Sequence, residues 1–211
     1  MPDYASSVQA VSLRLSKLAA DGSPLPGATN SYVTRAFTSL SFTPEYQDGD
    51  EISVTAADGS VCVYYKVPDT LKRVNFEIAI CNPQPEIYEM LAGGTILTEL
   101  TENIGWSAPE IGSAPGTDGV SIEAWSRAIV GGRPAAVRPY FRFVFPYVQT
   151  RLSGDRVLEN GALANVFSGF GLGNDGWGEG PAVDWTFPST SALSFARAAT
   201  APTTEGFAVV V

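Results

Sequence analysis

Residues of the types that carry most enzyme chemistry are sparse in this chain of 211 residues, which contains no histidine. Without histidine there is no Ser-His or Cys-His nucleophile pair, no histidine general base and no histidine-containing metal site. The segment GFGLGNDG, residues 169–176, is similar to a glycine-rich nucleotide loop, but no helical pattern follows it. We therefore predict a protein that is not an enzyme, with no catalytic residues and no cofactor, although paired carboxylates of the glycosidase type need no local motif.

Two small groups of residues have the types that metal ions prefer. Asp48, Asp50 and Glu51 form an acidic cluster in which a calcium ion could sit, and we interpret the cluster as an ordinary solvated turn. Cys62 and Cys81 lie on neighbouring predicted strands, but two cysteines without histidine partners do not make a zinc site. We predict that both cysteines are buried free thiols and that the chain holds no metal.

The clearest strand patterns lie in the first half of the chain. Apolar residues alternate with polar ones over 61–67 and again over 74–80, and this alternation predicts two half-buried strands. The dipeptide Asp58-Gly59 joins the first of these strands to the apolar residues at 52–54. Because Gly readily adopts positive φ, the dipeptide predicts the turn of a β-hairpin.

A short helix is predicted directly after the second strand, over about residues 83–92. Asn82 is a suitable N-cap, and the fixed φ of Pro83 and Pro85 suits a first helical turn. Gly93 enters the left-handed C′ conformation without steric cost and therefore predicts the end of the helix.

A second hairpin is predicted over 120–148, with its bend at Gly131-Gly132. Pro139 and Pro146 have no backbone N–H to donate to a central ladder. We therefore expect the second strand to lie at a sheet edge or to carry bulges, and an edge strand can pair with another subunit.

Several segments without catalytic character carry a family resemblance. They are DGSPLPGATNSYV, TPEYQDGDEI, DTLKRVNFEIAICNPQPE, VFPYVQTRL and LENGALANVFSGFG. Together they resemble the major tail tube proteins of long-tailed, siphovirus-type bacteriophages of actinobacterial hosts. The resemblance implies a mainly β fold, in which a β-sandwich or barrel subunit has one short flanking helix and extended loops and arms. We predict one domain over 1–211, with possible arms at 1–30 and about 198–211.

The same resemblance implies a structural role in the virion tail. Subunits would assemble with one another into stacked, hexameric rings and contact other tail proteins, and double-stranded DNA would pass through the tube without specific binding. The protein would be made in the host cytoplasm and would not contact a membrane. A capsid-decorating or tail-terminator subunit is an alternative, and a carbohydrate-binding or carbohydrate-hydrolysing β-sandwich is a more distant one.

Charge and hydropathy fit this role. The net charge is −9, and residues 1–110 carry 14 acidic and 6 basic side chains, whereas residues 111–160 carry 4 and 6. A protein held on nucleic acid by phosphate neutralisation needs clustered Lys and Arg instead. An acidic lumen would repel DNA, and the alternative interpretation is that the acidity serves solubility alone. No apolar run approaches the roughly 20 residues that span a bilayer, and the N-terminus does not have the pattern of a signal peptide.

Four residues are candidates for a subunit interface. Arg138 and Arg142 alternate with phenylalanines on a predicted strand and could meet acidic residues of a neighbour, or could simply be solvated. Trp106 lies in a predicted loop, 103–119, whose length is typical of functional loops, so the loop either contacts a neighbouring subunit or is a mobile surface loop. Trp177 lies among glycines, where an exposed aromatic side chain could anchor an interface or fold back onto its own core.

Overall fold

The described part of the chain consists of strands and one short helix, as the sequence predicts. The computed structural model describes residues 4–81, 84–114, 119–154, 165–181 and 185–210. The helix α1 is Pro85–Ala92. The strands are Ser6–Lys17 (β1), Ser31–Thr34 (β2), Phe37–Gln47 (β3), Glu51–Thr55 (β4), Val61–Lys66 (β5), Thr70–Ile80 (β6), Thr95–Glu99 (β7), Glu102–Ser107 (β8), Val120–Val130 (β9), Arg133–Pro134 (β10), Tyr140–Ser153 (β11), Asn165–Leu172 (β12), Ser194–Ala198 (β13) and Gly206–Phe207 (β14).

Ten of these strands form one large sheet. Its order is β14-β2-β1-β9-β11-β12-β6-β3, with β10 beside β9 and β13 beside β11. The hairpins β4–β5 and β7–β8 are separate two-stranded sheets. The strand pairs within the described residues are antiparallel. The mainly β fold with one short helix is therefore confirmed.

The main core lies on one face of the curled sheet. Strand β3 folds across towards β11, so that the rings of Phe42 and Phe145 lie 5.5 Å apart. Helix α1 packs on the same face, with Ile87 and Leu91 buried. The other core residues lie at alternate positions of the strands, on the face that points towards the helix. They include Leu13, Leu15, Val74, Phe76, Ile78, Ile80, Ile122 and Phe167. The predicted burial of the strand at 74–80 is confirmed.

The opposite face of β1, β9 and β11 is covered by residues 173–181 and 185–190. Trp177 is 2% exposed and packs with Leu18 and Val144 in a second, smaller apolar cluster. This face is therefore shielded from water by a segment that has no regular secondary structure of its own.

A buried ion triad lies beneath this covering segment. Glu123 on β9 accepts hydrogen bonds from Arg14 Nε on β1 at 2.5 Å and from Arg142 Nε on β11 at 2.7 Å. Glu123 and Arg142 are each 0% exposed. The guanidinium groups also stack on aromatic rings, Arg14 over Trp125 at 5.3 Å and Arg142 over Phe187 at 5.2 Å. One carboxylate thus holds two buried cations in the middle of the sheet.

Two glycine-containing segments far apart in sequence interlock at the edge of this face. The Asn174 amide donates to the carbonyl oxygen of Gly22 at 2.8 Å and to that of Pro146 at 2.9 Å. Gly176 lies so close to the other segment that a Cβ there would be 2.1 Å from the carbonyl oxygen of Asp21. The two segments therefore fit closely against each other at this edge.

Strand β11 occupies the interior of the sheet and carries a bulge, so of the two predicted alternatives the bulge is confirmed and the edge position is wrong. It pairs with β9 on one side and with β12 and β13 on the other. Pro139 precedes the strand, and Pro146 lies where the pairing with β9 shifts register between Phe145 and Val148. Because the bulge interrupts the hydrogen-bond ladder at Pro146, no N–H is required from this residue, and the strand can lie in the interior of the sheet.

Helix α1 begins two residues later than predicted. Its N-cap is Gln84, without a side-chain cap, and not Asn82. Asn82 and Pro83 lie outside the described residues. Gly93 ends the helix and donates its N–H to the carbonyl of Glu89, so the predicted glycine stop is confirmed, but its φ of 70° and ψ of −161° differ from the predicted left-handed conformation.

The two predicted arms contain strands of the large sheet. Within 1–30, β1 lies between β2 and β9. Within 198–211, β14 pairs with β2, the ring of Phe207 packs edge-on against Tyr32, and Val210 is buried. The described strands of both segments thus pack against the chain itself.

Acidification is expected to weaken the ribbon formed by β3 and β6. Hydrogen bonds from Asn75 and Arg73 lower the pKa of Glu45 from its ordinary 4.5 to about 2. Because the folded state binds this proton less readily, the stabilisation is complete above pH 4.5 and is lost as the pH falls through about 2. The urea midpoint, measured across this range, should fall more steeply for the natural protein than for Glu45→Gln. Equal slopes would contradict the assignment.

Candidate assembly surfaces

The β4–β5 hairpin extends from the ends of β3 and β6 and stands apart from the large sheet. Its base is held by the amide of Val67, which donates to Asp50 at 2.9 Å, and by that of Gly49, which donates to the Asp69 carboxylate at 3.0 Å. Gly59 has φ of 86° in the turn. The predicted hairpin is confirmed.

The two faces of this hairpin differ sharply in polarity. Ile52 pairs with Tyr65 and Val54 with Val63, and these four residues make up what we call the apolar ribbon face. The other face carries polar partners, including the register pairs Glu51–Lys66 and Ser53–Tyr64.

Both faces of the hairpin are open to solvent. The four side chains of the apolar ribbon face are 51–57% exposed, so the prediction that residues 61–67 form a half-buried strand is wrong. An isolated hairpin is marginally stable in water, and contiguous exposed apolar residues mark interaction sites. The apolar ribbon face is therefore the strongest candidate for an assembly surface.

The β7–β8 hairpin is a second projecting element, but it is anchored to the helix. Trp106 stacks on Tyr88 with 4.9 Å between ring centroids, and its Nε1 donates to the carbonyl of Gly93 at 2.7 Å. Asn103 donates to the Glu86 carboxylate at 2.6 Å. The prediction that the loop starts at residue 103 is wrong, because β8 runs to Ser107.

The four predicted interface residues have different surroundings. Arg142 is buried within the chain and is neither solvated nor at the surface, and Trp177 is buried as in the alternative that it folds back onto its own core. Trp106 is half-buried against the helix. Arg138 is exposed, and its guanidinium lies 5.5 Å from the ring of half-buried Trp185. Only Trp106 and Arg138 thus retain surface that a neighbour can contact.

Arg138 belongs to a basic group at the end of the sheet where β9 ends and β11 begins. Arg127 pairs with Tyr140, the first residue of β11, and Arg197 of β13 pairs with Phe141. We call this group the arginine end; its members are Arg127, Arg133, Arg138 and Arg197.

The cysteines and the acidic cluster show no metal-site geometry. Cys62 and Cys81 are free thiols, but both are exposed, so the prediction of burial is wrong. Asp48 and Asp50 are exposed beside the hairpin base. Within the described residues, no three His, Cys, Asp or Glu side chains converge as a group that could hold a metal ion. No helix in the described part of the chain has the length and apolarity needed to span a membrane.

Comparison with protein-family models and with curated proteins finds no match for this chain. The candidate surfaces therefore follow from the residues and their geometry. Sequence reasoning identified the alternation at 61–67 but assigned it to a core. Alternation shows that one face of a strand is apolar. It does not show whether that face is covered by the same chain, by another subunit or by solvent.

Proposed function

We propose that the chain is the repeating subunit of a bacteriophage tail tube, which assembles into stacked rings and conducts DNA during ejection. The apolar ribbon face carries this proposal. Ile52, Val54, Val63 and Tyr65 form a complete face for which the described part of the chain supplies no cover. Covering this face by another subunit explains why a small hairpin retains so much exposed apolar surface.

The edge of the large sheet supports self-association. Strand β3 spans Phe37–Gln47 and, among the described strands, pairs only with β6. Its outer edge therefore presents unpaired backbone groups, which are a template for pairing with a strand of another copy. The expectation of strand pairing between subunits, first placed on β11, is better supported by β3.

The charge of the chain supports passive conduction of DNA. With a net charge of −9, a ring of identical subunits accumulates negative charge that repels phosphates. Specific DNA binding would need base contacts and clustered cations. Double-stranded DNA is therefore proposed to pass without being held, and the stable partners are further copies of the chain and other tail proteins.

Electron microscopy of the purified protein over a concentration series, with light scattering for mass, tests the proposal. Hollow tubes with a regular axial repeat are expected. Closed single rings would contradict the tail-tube proposal and would instead support a terminator or capsid-decorating role. Strict monomers at high concentration would contradict unaided self-assembly, and polysaccharide binding by those monomers would establish the carbohydrate-binding alternative.

A further inference from the structure

The turn of the β7–β8 hairpin combines three features that oppose the stability of an isolated subunit. Leu100 is 100% exposed and has φ of 55°, a conformation that disfavours a side chain of its size. Glu99 and Glu102 are direct register partners, which places like charges opposite each other. Leu97 and Ile104 add exposed apolar surface next to the turn. Residues that locally disfavour the folded conformation, as these do, are expected at functional sites.

The turn lies at the end of the molecule opposite the arginine end. Helix α1 starts shortly after Ile80, which pairs with Asn165 at that opposite end of the sheet. The hairpin runs beside the helix, and the bond from Asn103 to Glu86 places its turn near the helix N-terminus.

The register along β11 gives the separation of the two ends. The arginine end adjoins Tyr140, whereas Thr150 donates a hydrogen bond to the carbonyl of Leu91 near the helix C-terminus. Ten residues of extended strand span about 33 Å. The hairpin turn lies near the helix N-terminus, at the same end of the sheet as Ile80.

The two ends also carry opposite charge. Residues 84–114 contain five glutamates and neither Lys nor Arg. The arginine end carries four guanidinium groups, with Glu205 as the carboxylate that lines a groove together with Arg127. Exposed apolar side chains accompany the arginines, namely Val137 at 80% and Phe195 at 64%.

We propose that the β7–β8 turn of one copy docks on the arginine end of a second copy. Leu100 supplies the apolar anchor against Val137 and Phe195, and Glu99 and Glu102 face the guanidinium groups. The contact joins unlike surfaces and therefore propagates head to tail. This inference rests on the proposed function, because it names the partner surface for self-assembly.

Leu100→Gly separates assembly from folding. Glycine adopts positive φ freely, so the melting temperature of the monomer is expected to stay equal or rise. The concentration needed for assembly is expected to rise at least about 10-fold, because burial of a leucine side chain is lost. Thr101→Gly, at the neighbouring turn position, is the matched control and should assemble nearly as the natural protein does. Assembly of Leu100→Gly at the natural concentration would overturn the proposal.

Charge reversal tests the pairing of the two surfaces directly. The variant Glu99→Lys/Glu102→Lys and the variant Arg133→Glu/Arg138→Glu should each assemble poorly alone. Mixed in equal amounts, they should co-assemble, because each turn then meets an end of opposite charge. Tubes from the natural protein combined with failed rescue would overturn this contact and leave the tube function standing. If the natural protein did not assemble at all, both the proposed contact and the proposed tail-tube function would be contradicted.

Discussion

Replacing Glu123 by glutamine is expected to destabilise the fold by about 3–5 kcal/mol, which is enough to leave many domains unfolded. The substitution preserves the shape of the side chain but removes the negative charge that lies between the buried guanidinium groups of Arg14 and Arg142. Urea unfolding followed by circular dichroism measures the effect. The exposed Glu77 on β6 provides the matched control. Glu77→Gln makes the same chemical replacement and is expected to change the free energy of unfolding by less than about 0.5 kcal/mol.

A triple variant distinguishes charge balance from packing at the triad. Arg14→Met, Glu123→Leu and Arg142→Met together remove all three charges and keep most of the volume. Buried triads replaced in this way often keep or gain stability, so the triple variant should be more stable than Glu123→Gln alone. If Glu123→Gln instead matched the natural protein in its urea midpoint, the carboxylate would not be compensating the two cations.

Charging the apolar ribbon face is expected to abolish assembly while leaving the subunit folded. The pair Val54→Lys/Val63→Glu places opposite charges on register partners, so the hairpin keeps a favourable cross-strand contact. Because each valine is already about half covered, its further burial is worth about half of the roughly 1.5–3 kcal/mol of full burial, so the two together should raise the concentration for assembly at least about 10-fold. Sedimentation velocity over a concentration series measures this shift.

The control for this variant uses the other face of the same hairpin. Ser53→Lys/Tyr64→Glu introduces the same two charges on the neighbouring register pair. Assembly of this control should resemble that of the natural protein. If both variants assembled normally, the apolar ribbon face would be excluded as an assembly surface; if both failed equally, the defect would belong to the hairpin as a whole.

Local physical rules predicted the elements but not their surroundings. Gly93 ends the helix and Gly59 makes the hairpin turn, because both positions need a backbone conformation that glycine adopts easily. The strands at 61–67 and 74–80 show the same alternation, yet the first is exposed and the second is buried. The difference arises from what packs on each strand, which is a property of the tertiary fold.

The candidate site was harder to predict for the same reason. Arg142 looked like a surface arginine because its carboxylate partner lies on another strand, and Glu123 in turn bonds Arg14, 109 positions away. Trp177 looked exposed because glycines surround it in sequence, but it packs on Leu18 and Val144. Charge pairing and covering of this kind depend on the strand order β1-β9-β11, which no local pattern encodes.

The interlock between Asn174 and Gly22 has a consequence for synthesis on the ribosome. The two residues are 152 positions apart, so at typical elongation rates the second emerges roughly 8–30 s after the first. The cover over the ion triad cannot form during that interval. Strand β13, which carries Phe195 and Arg197 at the arginine end, emerges later still. If the arginine end docks as proposed, the docking surface is among the last parts of the subunit to be completed, which would keep unfinished chains from joining a growing polymer.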